Sequence, residues 1–585
     1  MSDCTQTTQT CSTMTNLKYN VEDNPGIFLS IIYGAQHFIT SVGSSAAIPL
    51  LLASALCIQD TDYGMIQKAK LISTILVTGG VVTIVQTLFG LRLPILQGGT
   101  FSFLAATFAI LGTDGPSGLV CPVPMVEGND TLSTTFVKDE EGLLLFIDND
   151  NTTVNEDTLW KSRMLHLQGA ILVAGLTEAF IGFIGAVGLL TKLVSPLTIT
   201  VFISLIGLAL FETAASTAGS YWPISLLMVL LMVLFSNVLD KYDVPCPSLS
   251  IKKRSCKISK ISVFKTMPVI LSIVITWFFC WILTVSNALP ENNKARTDLN
   301  TEILSLAPWF NFPYPFQWGT KFKFSVAGIV GMLAGSLASI IESIGDYYAC
   351  ANICKKPPPP QHAISRGIMI EGLGCVFAAL MGSGNGTTSY SENIGILEVT
   401  KIASRTVVAT GGCCMIVFGI FTKFAALFVA MPEPILGGLF VVMFGIITSV
   451  GLSNLQFVDL NSSRNLMILG LSIILGMGVP RWMETPENKE SLKTNVDALD
   501  QLFEVLLTTS MFLGGIICMI LDLVLPGSPE ERGIAKWKKK EPGNRGSKLY
   551  WPISFCQFKW FSVLPICPDF RKESEETSFD NGAYG

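Results

Sequence analysis

Long apolar runs alternate with short polar breaks along most of this 585-residue chain. A helix needs about 20 consecutive apolar residues to cross the hydrocarbon core of a membrane. Thirteen runs approach or exceed that length: 27–56, 69–91, 93–112, 165–190, 193–211, 221–239, 266–288, 323–350, 366–381, 403–420, 423–450, 464–479 and 502–525. Counting the interrupted stretch 382–402 as a further crossing, the pattern predicts an all-α polytopic membrane protein with about fourteen transmembrane segments.

The composition agrees with a membrane protein and argues against soluble enzyme chemistry. Hydrophobic residues make up 50% of the chain and charged residues 14%, whereas a soluble protein carries about 25% charged residues. The three histidines, His37, His166 and His362, lack metal-binding spacing, and neither a Walker loop nor an H-E-x-x-H motif occurs. The sequence therefore predicts no enzyme activity, no resident cofactor and no nucleic-acid partner.

The distribution of Lys and Arg between the apolar runs predicts the orientation in the membrane. The loop 241–265 holds seven basic residues and the tail holds KWKKK at 536–540, and basic loops stay in the cytoplasm. The loop 113–161 is acidic and carries glycosylation sequons at Asn129 and Asn151, so it should be a glycosylated extracellular loop. We therefore expect a plasma-membrane protein whose two tails, 1–24 and 526–585, are both cytoplasmic.

Two cysteines fall in loops predicted to lie outside the cell. They are Cys57 and Cys121, and the sequence leaves open whether they form a disulfide.

Six carboxylates fall within the apolar runs, where a charged side chain costs a few kcal/mol. They are Glu178, Glu212, Glu342, Asp346, Glu371 and Glu392. The spacing of Glu342 and Asp346, four residues apart, places both on one face of a helix. Two like charges there repel each other unless a cation or a donor-rich ligand lies between them, or unless one is protonated or paired with a neighbouring helix. We interpret this pair as part of a binding site.

Two of the apolar segments are interrupted by glycine-rich polar tracts. GSGNGTTSYSENIGILEVTK, 382–401, interrupts the tenth segment, and LQGGTFSF, 96–103, interrupts the third. Irregular backbone is tolerated at membrane depth only where protein or a cavity satisfies its polar groups. Transporters built from inverted repeats place such breaks at matching positions in their two halves, and third and tenth match if the chain is two repeats of seven. The pattern therefore predicts a secondary transporter.

The chain resembles the nucleobase–ascorbate transporter family. The resemblance rests on the signature ENIGILEVTK at 392–401, on the first-segment pair QH at 36–37 and on GLSNLQFVDLNSSRNL at 451–466, which is similar to the animal branch. It covers roughly residues 25–525, and within that branch the chain looks most like the sodium-dependent nucleobase (uracil) carriers. The resemblance implies that the protein is a transporter and that its functional unit is a homodimer.

The resemblance also implies a fold. It has fourteen segments in two inverted repeats of seven, with short strands in segments 3 and 10 that cross at the midplane. Segments 1–4 and 8–11 form a core domain, here 25–190 and 323–420. Segments 5–7 and 12–14 form a gate domain, here 193–288 and 421–525. The core carries the substrate past the gate in an elevator mechanism.

Binding roles follow from the same resemblance. Glu342 hydrogen-bonds the base, Glu392 holds its other edge, and Phe101 stacks on the ring. Tyr390 and Ser391 offer backbone groups. The supporting positions are Asn393, Gln36 and His37.

The coupling ion follows from one departure from related proteins. Asp346 stands where proton-coupled relatives have histidine. An aspartate offers a hard oxygen ligand where a histidine titrates near neutral pH, so we expect Asp346 to bind sodium.

The first residue of the signature bears on the substrate. Ascorbate carriers similar to this chain have proline there, and nucleobase carriers have Glu or Gln; here it is Glu392. A carboxylate only accepts hydrogen bonds and suits the N–H edge of a base, whereas ascorbate is an anion and would be repelled. The expected function is sodium-coupled uptake of uracil, thymine and some purines such as guanine, hypoxanthine and xanthine.

Two other functions remain open at this point. One is a sodium-dependent ascorbate transporter. The other is an anion exchanger or channel of the same architecture, which would need a net cationic site.

Overall fold

The computed structural model of the chain describes residues 17–112, 136–138, 144–147, 153–189, 194–242, 244–250, 255–261, 263–483, 485–491, 493–494, 496–534 and 550. Helices dominate this part of the chain. In the first half they are α1 Ile27–Ala55, α2 Asp62–Leu88, α3 Phe101–Gly112, α4 Glu156–Phe183, α5 Pro196–Ala209, α6 Phe211–Gly219, α7 Trp222–Val233, α8 Val263–Thr266, α9 Pro268–Val285 and α10 Ile303–Leu306. In the second half they are α11 Val326–Ile353, α12 Gln361–Met381, α13 Ser391–Thr400, α14 Arg405–Ile420, α15 Thr422–Val429, α16 Glu433–Ser453, α17 Ser463–Met483, α18 Pro486–Ser491, α19 Asp497–Thr508 and α20 Ser510–Val524.

The strands form three small antiparallel sheets. The first pairs β1 Gln97–Gly99 with β7 Thr387–Ser389. The second joins β2 Phe136–Lys138, β3 Leu144–Ile147 and β4 Thr153–Asn155. The third is the hairpin of β5 Val244–Ser250 and β6 Ser255–Ile261. Among the described strands, only those of the first sheet come from different halves of the chain, and their pairing links segments 3 and 10.

The described helices account for the predicted number of transmembrane segments. Nine helices in the described ranges are long and apolar enough to cross a membrane, and α19 with α20 adds a tenth segment bent by 83°. Shorter apolar helices cover Trp222–Val238 and Arg405–Ile420. With the two strand–helix segments β1–α3 and β7–α13, the total is fourteen. The predicted all-α fold, with short strands in segments 3 and 10, is therefore confirmed.

The apolar pattern misplaced some boundaries. The run 423–450 was predicted as one segment, but α15 ends at Val429 and α16 begins at Glu433, because Pro432 and Pro434 favour a new helix start rather than a continuous helix. Likewise α2 begins at Asp62, seven residues before the predicted start at 69, because the Thr61 side chain caps the helix by accepting from the Gly64 N–H at 3.0 Å. Capping is a local hydrogen-bonding effect that a hydropathy pattern does not contain.

The glycine-rich tract between α12 and β7 makes a tight connection at the centre of the protein. Gly382 ends α12 with a left-handed φ of 76°, and Gly384 has a φ of 70°, a conformation that residues with a Cβ rarely adopt. The Asn385 side-chain oxygen accepts from the Thr100 backbone N–H at 2.9 Å. This hydrogen bond joins the tract to the start of α3, so the two interrupted segments meet at a fixed point.

Close packing of α4 against α12 supports this centre from one side. A Cβ added at Gly372 would overlap the backbone of Ala179, and one added at Gly175 would crowd Cys375 and Val376. Small residues of this kind allow membrane helices to approach closely. The strand pair therefore rests on a tightly packed part of the protein, while the division into core and gate bodies stays a prediction.

Asn129 and Asn151 lie outside the described residues, and their glycosylation stays a prediction. We expect glycosidase treatment to increase the electrophoretic mobility of the protein, and the double variant Asn129→Gln/Asn151→Gln to show no such change. Asn385 also matches the sequon, but it is fully buried and should carry no glycan. An unchanged mobility in protein labelled at the cell surface would contradict the predicted orientation or the occupancy of the two sites.

Cys57 takes part in a disulfide in the structure. Cys121, the partner considered from the sequence, lies outside the described residues.

Candidate functional site

The strand pair β1–β7 organises the candidate site. Gln97 lies opposite Ser389 and Gly99 opposite Thr387, and every residue of both strands is buried. Helices α3 and α13 begin directly after these strands, at Phe101 and Ser391. Backbone groups that have no partner in a broken span are thus satisfied between the strands or left at two helix starts, where N–H groups favour negative or electron-rich ligand atoms.

Asp346 on α11 is fixed by two serine hydroxyls of the tenth segment. Ser389 Oγ donates to its Oδ2 at 2.9 Å, and Ser391 Oγ donates to its Oδ1 at 2.8 Å. Asp346 is 7% exposed. Both carboxylate oxygens are therefore oriented by the residues on either side of Tyr390.

Glu342 lies one turn before Asp346 and contacts the other interrupted segment. Its Oε2 accepts from Ser102 Oγ, near the start of α3, at 3.2 Å. Glu342 is half-buried. The two acids predicted to share a helix face thus reach α3 and α13, one acid to each.

Glu392 brings a third carboxylate to the same place. It lies in the first turn of α13 and is half-buried, near Ser44 of α1, whose hydroxyl donates to the Ser41 carbonyl at 3.2 Å. Its charge acts on both Glu342 and Asp346. Three negative charges near each other and away from bulk water are unfavourable unless a cation or several N–H donors offset them.

Tyr390 is held by both its backbone and its ring. Its N–H donates to the Leu96 carbonyl at 3.0 Å, and its carbonyl accepts from the Asn393 N–H at 3.2 Å. The ring packs directly on Gly98 of β1, where any Cβ would overlap it. Its hydroxyl lies 3.2 Å from Ser45 Oγ on α1, and the side chain is 4% exposed. The phenol is therefore fully engaged inside the protein, and a contact between the Tyr390 backbone and a ligand stays a prediction.

Phe101 lies where the candidate site meets helix α16. It is 9% exposed and meets Phe444 of α16 edge to face, with 5.7 Å between ring centroids. Phe444 in turn stacks on Phe440 at 6.0 Å. The aromatic residue expected to stack on the ligand thus lies at the contact with α16.

The supporting positions are partly explained. Asn393 donates from Nδ2 to the Pro94 carbonyl at 3.1 Å, so it joins α13 to the segment before β1. His37 is 1% exposed and lies against Asn393. Gln36 is half-buried, and the contacts of the described residues do not bring its side chain to the three carboxylates.

The other predicted intramembrane acids lie elsewhere. Glu212 on α6 forms an ion pair of 2.9 Å with Arg481 on α17, and both side chains are largely exposed. Glu371 accepts from Gln97 Nε2 at 3.0 Å, on β1. Glu178 and Glu371 are both fully buried. Of the six acids, only Glu342, Asp346 and Glu392 are therefore assigned to this site.

The sequence analysis missed the hydroxyl groups that orient the site. These are Ser45, Ser102, Ser343 and Ser389. Ser343 Oγ lies 2.9 Å from Thr388 Oγ1 and so ties α11 to β7. The available signal was the serine in otherwise apolar runs, as in SVGSSAA at 41–47, but serine is also common in membrane helices for packing alone.

Comparison with solved structures shows remote likeness. The transmembrane domain of the cyanobacterial bicarbonate transporter BicA aligns with a TM-score of 0.42 and 12% identity, covering 86% of this chain and 99% of that one.

Comparison with known sequences is more informative. Residues 29–485 match a family model described as Permease family. Solute carrier family 23 member 2 of Homo sapiens is 43% identical over 565 residues, which cover 94% of this chain and 82% of that protein. Solute carrier family 23 member 1 of Mus musculus is 41% identical over 575 residues, covering 96% and 90%. Nucleobase-ascorbate transporter 1 of Arabidopsis thaliana is 31% identical over 552 residues, covering 92% and 95%. The chain therefore belongs to the nucleobase–ascorbate transporter family of membrane permeases, which are transporters and not enzymes.

Proposed function

We propose that this protein takes up nucleobases, with uracil as the leading substrate, by sodium-coupled secondary active transport across the plasma membrane. The range includes thymine and some purine bases. The observation that carries the proposal is a pair of half-buried carboxylates: Glu342 on α11, which contacts the start of α3 through Ser102, and Glu392 in the first turn of α13. Carboxylates only accept hydrogen bonds, and the edges of nucleobases present N–H groups.

The charge of the site favours a neutral ligand over an anion. Ascorbate is negatively charged at neutral pH, and Glu392 stands where similar ascorbate carriers have proline. Each charge-assisted hydrogen bond from a base N–H to a carboxylate contributes about 1.5–3 kcal/mol. Micromolar binding corresponds to about −8 kcal/mol. Two such bonds reach that value only if the base also loses contact with water by stacking on Phe101. Phe101 is buried, which is consistent with a site that excludes water.

Asp346 is the residue we propose for sodium. Its two oxygens are held by Ser389 and Ser391, and it repels Glu342 in the absence of a cation. A sodium ion at Asp346 would remove that repulsion and so favour substrate binding beside it. By thermodynamic reciprocity, bound substrate would raise the affinity for sodium by the same factor. The coupling between sodium binding and substrate binding then follows from the compensation of negative charge alone.

Movement of the site requires a second body. We propose that the core, 25–190 and 323–420, carries the substrate past the gate, 193–288 and 421–525, in a homodimer with both termini in the cytoplasm. The contact of Phe101 with Phe444 supports this, because it lies between residues assigned to these two bodies. Sliding of the core would break and remake that aromatic contact.

Glu392→Gln tests the proposed reading of the base. The amide keeps one acceptor oxygen but turns a donor toward the N–H edge. We expect uracil affinity to fall at least about tenfold, which is about 1.4 kcal/mol. The measurement is the initial uptake of labelled uracil, with and without sodium and with excess ascorbate as competitor, corrected for surface expression.

Glu212→Gln is the matched control, since it removes an acid from a predicted membrane segment that pairs with Arg481 away from the site. Its uracil affinity should equal that of the wild type. Normal uracil affinity in well-expressed Glu392→Gln protein would rule out the proposed role of Glu392. Sodium-dependent ascorbate uptake without uracil uptake would favour the ascorbate transporter instead.

A further inference from the structure

A second pair of acids lies behind the strand pair and has no part in the proposed mechanism. Glu178 on α4 and Glu371 on α12 are both 0% exposed, and their charges act on each other. They come from the two helices that pack closely through Gly175 and Gly372. Two ionised carboxylates in such an interior would repel each other and lose their hydration, so they do not both stay charged without compensation.

The hydrogen-bond donors around the two acids are distributed unequally. Glu371 Oε1 accepts from Gln97 Nε2 at 3.0 Å, a hydrogen bond from an amide donor. Glu178 has only the thiol of Cys375, with 3.8 Å between Sγ and Oε2, as its described neighbour of this kind. Donors stabilise the charged form of a carboxyl, so Glu371 is the better place for a negative charge.

In the described part of the chain, three buried acceptor oxygens of the same region lack a partner, beside one unpartnered hydroxyl, that of Thr387 on β7. Among the described residues, Glu178 Oε1 and Glu371 Oε2 are buried and have no hydrogen-bond partner. Independently of the acids, Gln97 Oε1 is also buried and unpartnered, although the amide it belongs to contacts Glu371. Buried acceptors are normally satisfied. A proton bound to one of the two carboxylates would supply a hydrogen-bond donor and would also neutralise one negative charge.

We propose that Glu178 and Glu371 form a buried proton site that holds one proton, carried by Glu178, beside an ionised Glu371. Glu178 is then a neutral carboxylic acid, and its O–H is an additional donor in a region where the described residues include three unpartnered acceptor oxygens. The proton positions the strand pair indirectly, because it leaves Glu371 ionised to hold β1 through Gln97.

The charged and titratable groups that face the pair come from two helices. Tyr347, Asp346 and Glu342 lie on α11, and the thiol of Cys375 lies on α12. The residues of β1 and β7 that contact the pair's surroundings carry no titratable side chain. The charge of Glu371 acts on Asp346 and Glu342, so a second charge at Glu178 would further increase the negative charge in a part of the protein that already contains the three acids of the candidate site.

Infrared spectroscopy of the purified full-length protein tests this assignment without any substrate. A protonated carboxyl gives a carbonyl stretch that an ionised one lacks. We expect Glu178→Gln to remove one such band at neutral pH, and Glu371→Gln to keep it, because Glu178 stays protonated beside a neutral amide. Glu212→Gln is the control and should leave the spectrum unchanged, since Glu212 is paired with Arg481.

Uptake gives a second readout in the same variants. Glutamine resembles a protonated glutamate, so Glu178→Gln should fold and keep the rate of uptake within about threefold of the wild type. Glu371→Gln replaces an ionised group, so its rate of uptake should fall at least about tenfold. A spectrum unchanged by Glu178→Gln, or failure of that variant to fold, would overturn the proposal. A carbonyl band that appears only when sodium is removed would show that sodium, and not a proton, compensates the charge of Glu178 and Glu371. The infrared outcomes do not depend on which substrate is transported, so they remain decisive if uracil is not the substrate.

Discussion

Asp346→Asn is expected to abolish sodium-stimulated uptake, or to raise the sodium concentration for half-maximal uptake by at least about tenfold. Asparagine keeps the shape and can keep both hydrogen bonds, because a serine hydroxyl accepts as well as donates. The bonds from Ser389 and Ser391 at 2.9 and 2.8 Å are therefore retained in neutral form. What disappears is the charge, and a charged hydrogen-bonding partner contributes about 1.5–3 kcal/mol, or one to two orders of magnitude in affinity.

The measurement is a sodium activation curve for uracil uptake, with surface expression determined in parallel. Asp298→Asn provides a control in the same assay. Asp298 is solvent-exposed and pairs with Arg296 at 2.6 Å. This pairing holds the pKa of the Asp298 carboxyl below its usual value, and Asp298 lies in the loop between α9 and α10. An unchanged sodium curve for Asp346→Asn would show that the charge of Asp346 does not bind the coupling ion.

Gly98→Ala is expected to weaken substrate binding by about ten- to a hundredfold. The new Cβ would overlap the ring of Tyr390. The strand cannot retreat easily, because Gly98 lies opposite Thr388 in the buried pair. The ring must therefore move, lose its contact with Ser45 and displace the adjoining start of α13. Overpacking of this kind costs about 1–3 kcal/mol.

Uptake kinetics at saturating sodium will separate this effect from a loss of folded protein. We expect a raised KM in Gly98→Ala with protein still present at the surface. Gly470→Ala is a suitable control, because no atom lies within 4 Å of the Cβ that it would add on α17. Wild-type kinetics for Gly98→Ala would mean that Tyr390 can shift without affecting the site.

The sequence predicted the segments well because hydropathy and backbone breaks are local properties. The glycines and serines of 382–401 indicated an interrupted span, and the structure contains a strand and a helix start there. The start of α2 was missed because Thr61 caps it through a hydrogen bond. A cap changes the helix boundary without changing the hydrophobicity of the run that follows.

Which of the intramembrane acids belong to the candidate site was harder to predict than the fold. All six intramembrane acids look alike in a hydropathy pattern. Glu212 is explained by Arg481, 269 residues away in sequence, and Glu371 by Gln97, 274 residues away. Such pairings depend on how helices from the two halves meet, which no local pattern records. The family resemblance supplied Glu342 and Glu392, and the serines that orient the acids appeared only with the structure.

The pairing of β1 with β7 has a consequence for biosynthesis. Gln97 and Ser389 lie opposite each other although 292 residues separate them. At about 5–20 residues per second, a ribosome needs about 15–60 s to synthesise that stretch. During this time the third segment has left the ribosome but its strand has no partner, and unpaired backbone is costly in lipid. The segment must therefore wait in a sheltered or watery environment, so the nascent chain depends on the insertion machinery until the tenth segment arrives.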